Sequence, residues 1–149
     1  MPANSDPIFT KNVKTSSVLV TAANTSSQGG GTVATDIFLL GTADATNGSY
    51  IRKVRMIPTA SVAATTTTAT VARIFISTVS SGATTSANTR LIAEVSLAAI
   101  PAAHSTTAVF WQDLAVNEPI GAGESILVTN HAAPAASTAW RFVMFYGDY

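Results

Sequence analysis

The chain has no cysteine. That excludes disulfides, a thiolate nucleophile and any zinc site built on Cys ligands. Charge is also scarce: Lys+Arg and Asp+Glu number 8 each, so net charge is +0 and charged residues make up 11% of 149, well under the usual ~25%. With no bulk field to recruit a polyanion or an anionic bilayer, neither direct nucleic-acid binding nor membrane binding is expected. No run of about 18 apolar residues is present, and MPANSDPIFTKNVK at the start lacks the apolar centre of a signal peptide, so a soluble chain without its own export address is expected.

Catalytic patterns are missing too. His104 and His131 stand alone in Ala/Pro-rich loops, and Asp6, Asp36, Asp44, Glu94, Asp113, Glu118, Glu124 and Asp148 are scattered without a D-x-D spacing, so no metal site is expected. Gly29-Gly30-Gly31 has no following Lys-Ser/Thr, and Gly121-Ala122-Gly123 enters a strand; neither is a phosphate-binding loop. There is no G-x-S-x-G elbow. A carboxylate pair assembled only by folding is the one catalytic arrangement left open. The expectation is no enzyme and no cofactor.

What is present is β-structure, centred on residues 69–100. Thr70, Val71, Ile74, Ile76 and Thr78 crowd β-branched carbons into one short segment and lack helical spacing, which favours a strand. Period-two alternation makes Ile74 and Ile76 the core face. In the following strand Leu91, Ala93, Val95 and Leu97 form the apolar face, with Arg90, Glu94 and Ser96 opposite. The connection through Ser80-Ser81-Gly82 and Asn88 is long for a hairpin, so these strands either pair or cross between sheets.

Further strands are expected at residues 17–23, 33–40, 50–57, 107–114, 125–130 and 138–146. Asn47-Gly48 is the strongest hairpin signal, and residues 117–124 read as a tight connection. In YIRKVRMI, alternation puts Tyr50, Arg52, Val54 and Met56 on one face and Ile51, Lys53, Arg55 and Ile57 on the other. Cations split over both faces make no phosphate-tracking stripe and read instead as an edge strand blunted by charge. The last strand is apolar on both faces, as in a strand central to its sheet or covered by another chain. About eight strands and no helix predict an all-β, antiparallel β-sandwich, jelly-roll-like. Residues 1–15 read as an extended N-terminal arm and 16–149 as a single β-sandwich domain.

A neutral, charge-poor exterior offers little repulsion between copies, which favours a component packed against others. Candidate subunit contacts are Ile8 and Phe9 in the arm and Trp140, Phe142, Phe145, Tyr146 and Tyr149 in the last strand. An alternative use of aromatics is a sugar-stacking platform of Trp111, Trp140 and Tyr149, as in a carbohydrate-binding adhesin module.

Three stretches carry a resemblance: RIFIST with ANTRLIAEVSL between Arg73 and Leu97, EPIGAGESILV over 118–128, and W-x-F-x-x-x-Y-G-D-Y from Trp140. Together they resemble small all-β virion proteins of tailed bacteriophages, of the capsid decoration or cement type. The likeness covers roughly the C-terminal half. It implies a jelly roll on the capsid exterior, often a homotrimer, partnered by copies of itself and the major capsid protein and bridging adjacent capsomers. It also implies a place in the virion, assembled in the host cytoplasm. A tail or neck component is the alternative within that class.

Overall fold

The computed structural model describes residues 10–61, 65–101 and 110–149. Ile8, Phe9, His104 and residues 107–109 of one expected strand lie outside them. Among the described residues there are strands and no helix: β1 (Asn12–Val20), β2 (Gly31–Thr32), β3 (Phe38–Thr42), β4 (Ser49–Ala60), β5 (Thr70–Ser77), β6 (Ala83–Thr84), β7 (Thr89–Leu97), β8 (Gln112–Ile120), β9 (Ser125–Asn130) and β10 (Thr138–Asp148).

Two four-stranded sheets face each other, in the orders β1-β10-β4-β8 and β3-β9-β5-β7. β1 pairs with β10, β3 with β9, β4 with β8 and β5 with β7, all antiparallel. The long strands are therefore one double ribbon, running out through β1, β3, β4 and β5 and back through β7, β8, β9 and β10. Rolling the ribbon adds the β10–β4 and β5–β9 pairings. That connectivity is a jelly roll. The one sequential pair of long strands that stays in a single sheet is β5–β7, which settles the pairing of the central segment.

The core lies between the sheets. Val20, Leu40, Ile51, Val54, Met56, Ile74, Ile76, Ile126, Val128, Trp140, Phe142 and Met144 form one buried cluster, at alternate positions wherever a strand runs without interruption. Burying each large apolar side chain contributes about 1.5–3 kcal/mol. Where alternation breaks, a bulge is responsible. Register shifts between Ile74 and Phe75 on β5, opposite β7, so Leu91 leaves the face of Ala93, Val95 and Leu97 and is exposed. A second shift falls between Ile51 and Lys53. It keeps Ile51, Val54 and Met56 buried together, and β4 is central in its sheet instead of the expected edge.

Three local expectations are corrected. The segment 117–124 is not all connection, because β8 runs to Ile120. Asn117 takes φ 54, and Pro119 is tolerated because β8 is an edge strand with no ladder donor required on its free side. Residues 33–37 do not begin a strand. Ala34 has φ 70, and Asp36 Oδ1 accepts from Thr32 N at 2.6 Å to close a turn. Residues 12–15, expected in the arm, pair with β10.

The Asn47-Gly48 signal marks a real reversal, but between sheets: β3 and β4 belong to different ones. Asp44 Oδ1 accepts from Thr46 N at 2.9 Å and Asn47 N at 2.8 Å. Gly48 has φ +78, and a Cβ there would stand 2.3 Å from the carbonyl oxygen of Ile120. Gly48→Ala is expected to lower stability by at least about 1–3 kcal/mol, the usual cost of backbone strain at such a position. Urea denaturation of the two proteins measures it.

Candidate docking face

The two sheets differ in what covers their outer faces. Over β3-β9-β5-β7 the chain covers itself. The crossover after β1 packs Ile37 and Val33 against Phe75, Leu127 and Leu39 in a second apolar cluster, and β2 pairs with β6 across it. Asn24 N donates to Asn130 O at 2.8 Å. Arg73, largely buried there, donates through Nε to Glu94 Oε2 at 3.2 Å and lies 3.3 Å through Nη1 from His131 Nδ1. A guanidinium can only donate, so Nδ1 of His131 accepts. His131 is thus engaged with Arg73, not free in its loop as its isolation in the sequence implied. Central strands buried on both faces, β5 and β9, follow from this covering.

No such segment crosses the outer face of β1-β10-β4-β8 among the described residues. Lys53 and Arg55 share the outer face, and the bulge at Arg52 brings that residue to the same face, since Ile51, Val54 and Met56 all point in and Arg52 lines an outer hollow with Phe145. The expected split of these cations over two faces is therefore corrected. Asp113, opposite Arg55 on β8, accepts from Arg55 Nε at 2.6 Å, Arg55 Nη2 at 2.9 Å and Lys53 Nζ at 2.7 Å. These bonds, Arg55's first, hold the Asp113 carboxyl well below the usual carboxylate range. The Arg55 guanidinium lies 4.9 Å from the ring centre of Trp111 and 5.7 Å from that of Phe145, with Lys53 Nζ 5.1 Å from the same Phe145 ring. Cations over aromatic faces attract through the ring quadrupole, so Trp111 is pinned on the sheet while remaining 52% exposed.

Two shallow hollows flank this cluster. One, of about 350 Å³, is lined by Leu19, Thr59, Thr138 and Arg141 among others. The other, of about 290 Å³, is lined by Val13, Tyr50, Arg52, Phe145 and Tyr146 among others. Val13, Leu19, Phe110 and Trp111 are exposed large apolar side chains. A preorganised Trp–Arg centre with an apolar surround has the composition of a protein–protein hot spot.

The candidate contact residues fall into different places. Trp140 and Phe142 are fully buried in this chain's own core and have no surface to give a neighbour, because alternation along β10 points them inward. Phe145 is on the open face, Tyr146 lines a hollow on it while packing against the core, and Tyr149, half-buried at the end of β10, donates its N to Gly48 O at 3.4 Å. A platform of Trp111, Trp140 and Tyr149 does not form: Trp140 is interior, Trp111 lies by Arg55, and Tyr149 lies by Gly48 at the other end of β4. Sequence reasoning missed Asp113, Arg141 and Leu19; its one usable signal was the basic cluster in YIRKVRMI. Among the described residues, no three His, Cys, Asp or Glu side chains gather as metal ligands would.

No family model matches the chain, and no curated protein matches it. Solved structures similar to it include the capsid asymmetric unit of cyanophage Pam1, at 15% identity and TM-score 0.44 over 100% of this chain and 100% of that one. The infectious bursal disease virus Gx strain is 11% identical with TM-score 0.38, over 93% of this chain and 34% of that one. The VP2 subviral particle of infectious bursal disease virus is 13% identical with TM-score 0.32, over 100% of this chain and 37% of that one. The chain spans about a third of the length of those bursal disease virus chains. The strand connectivity by itself makes the fold a jelly roll.

Proposed function

We propose that this chain is a virion structural protein of the capsid decoration or cement type, seating the outer face of β1-β10-β4-β8 on a shell and bridging adjacent capsomers. One observation carries the reading: the chain covers one of its sheets with its own crossover, and no described segment crosses the other. Three further points support it. Jelly rolls recur in capsid and lectin domains, although a fold alone does not fix function. The composition is neutral and charge-poor. The motifs between Arg73 and Tyr149 resemble those of phage decoration proteins.

In this reading the protein acts by adhesion. A contact of ~800 Å² per partner is enough for a specific interface, and copies joined as a homo-oligomer, a trimer by the same resemblance, gain avidity from several modest contacts. The segment ahead of β1, together with Phe145, Tyr146 and Tyr149, contributes to contacts between copies. The same chemistry serves in a tail or neck, and labelled electron microscopy of virions assigns the location.

The test is co-sedimentation of purified protein with virions stripped of it. The wild type is expected to rebind. Trp111→Ala is expected to weaken rebinding by about 30-fold, the effect of losing a ~2 kcal/mol hot spot. A protein that stays monomeric at micromolar concentration and never rebinds removes the reading.

A further inference from the structure

The open face carries an electrical asymmetry that the chain's overall neutrality conceals. Among the described residues Arg52, Lys53, Arg55 and Arg141 stand on it against one carboxylate, Asp113. Among the described residues four cations and one acid thus share this face, an excess of three positive charges. Lys53 and Arg55 are committed to Asp113. Arg52 and Arg141 have no carboxylate within ion-pair distance among the described residues, although Lys14, Arg73 and Arg90 elsewhere each have one. Each free arginine lines one of the two hollows, at opposite ends of the Trp111–Arg55–Phe145 cluster.

We infer that this face is built for a protein surface presenting two separated carboxylate clusters around an apolar centre, with Arg52 and Arg141 taking the carboxylates and Trp111 the centre. The inference rests on reading the face as a docking surface and names the chemistry of its partner. An arginine fork matches a carboxylate in two parallel hydrogen bonds, and neither fork meets a carboxylate among the described residues. Nucleic acid fits less well. Its phosphates repeat along a line, whereas the line from Arg52 to Arg141 is interrupted by Asp113 and the half-exposed Trp111 ring. Along β10 the two hollows are separated by about four residues, hence on the order of 13 Å.

A random Glu–Tyr copolymer serves as probe, with heparin and polyuridylate beside it, and the protein is tested whole at low salt. The copolymer is expected to bind, to be released by added salt, and to be preferred over both other polyanions. Arg52→Gln/Arg141→Gln is expected to lose roughly tenfold or more of that affinity, as truncated interfacial charges do. Thr78→Glu/Ser81→Glu, which changes net charge equally in a loop away from the face, is expected to bind as the wild type does. Thermal melts of both variants confirm that they are folded. Equal loss in the two variants, or no loss in the Arg52/Arg141 pair, overturns the inference. So does preference for heparin or polyuridylate, or an oligomer that falls apart with the arginine change, which would make a second copy the occupant. If stripped virions rebind the glutamine variant normally, the partner chemistry is refuted while the decoration reading stands; if wild type binds the copolymer but no virion, the reverse holds.

Discussion

Trp140→Ala is expected to lose about 3–5 kcal/mol of folding stability, as large aromatic-to-alanine changes in cores do. Against a typical total of about 5–15 kcal/mol, that is roughly a third or more of the stability of an average domain. The ring is the largest fully buried side chain, held between the sheets with Val20, Phe142 and Met144. Its sequence context suits an interface equally well, and the two roles separate cleanly in an experiment. A core tryptophan changes the urea midpoint of the protomer, whereas an interface tryptophan changes the oligomer and spares the protomer. Phe145→Ala, five residues along the same strand and so on its outer face, is the control and is expected to cost far less. A Trp140→Ala protein with a wild-type midpoint and a broken oligomer would return Trp140 to the surface.

The second large effect is expected at Asp148. Its carboxylate is buried, accepts from Ser49 Oγ at 2.7 Å and pairs with Lys14, while its backbone oxygen accepts from Lys11 N at 2.8 Å. β1, β10 and β4 are fastened together at that point. The Lys14 and Ser49 hydrogen bonds hold the carboxyl below its ordinary 3.8. A folded-state value below the unfolded one means stability that is complete above the unfolded value and is lost as pH falls through the folded one. Asp113 and Glu124, held down by Arg55 and Arg90 in turn, act in the same direction. Asp148→Asn is therefore expected to lose about 1.5–3 kcal/mol at pH 7, the range for hydrogen bonds to a charged group. Its deficit should shrink as both proteins are taken below about pH 4. Urea midpoints at pH 7 and pH 3 measure the gap. A deficit unchanged between the two assigns the effect to packing and not to charge.

Much of the scaffold was legible from local pattern. β-branched density and alternation placed β5, β9 and β10 within a residue or two of their observed bounds, and the strand tally with no helix led to the jelly roll. The misreadings share one cause. A bulge is a single residue's departure, and nothing in YIRKVRMI announces that Arg52 will be skipped, yet that skip brings Arg52 to the face of Lys53 and Arg55. Trp140 and Phe145 look alike as exposed-or-buried candidates because an apolar strand with both faces hydrophobic does not say which face meets the core. Asn117 and Pro119 mark a turn by residue type and are strand residues only because β8 lies at an edge.

The sequence by itself determined the class of the molecule: strands from the spacing of branched and aromatic side chains, no disulfide or thiolate chemistry from the lack of cysteine, a weak overall field from balanced charge. Those are properties of composition and of neighbours along the chain. Tertiary structure decided the rest: which sheet the chain covers with its own crossover, how Asp113 reaches two cations from a distant strand, and where Arg52 and Arg141 stand on the outer face. Each depends on pairings between residues far apart in sequence. Their register is set by the whole rolled ribbon, and no local window contains it.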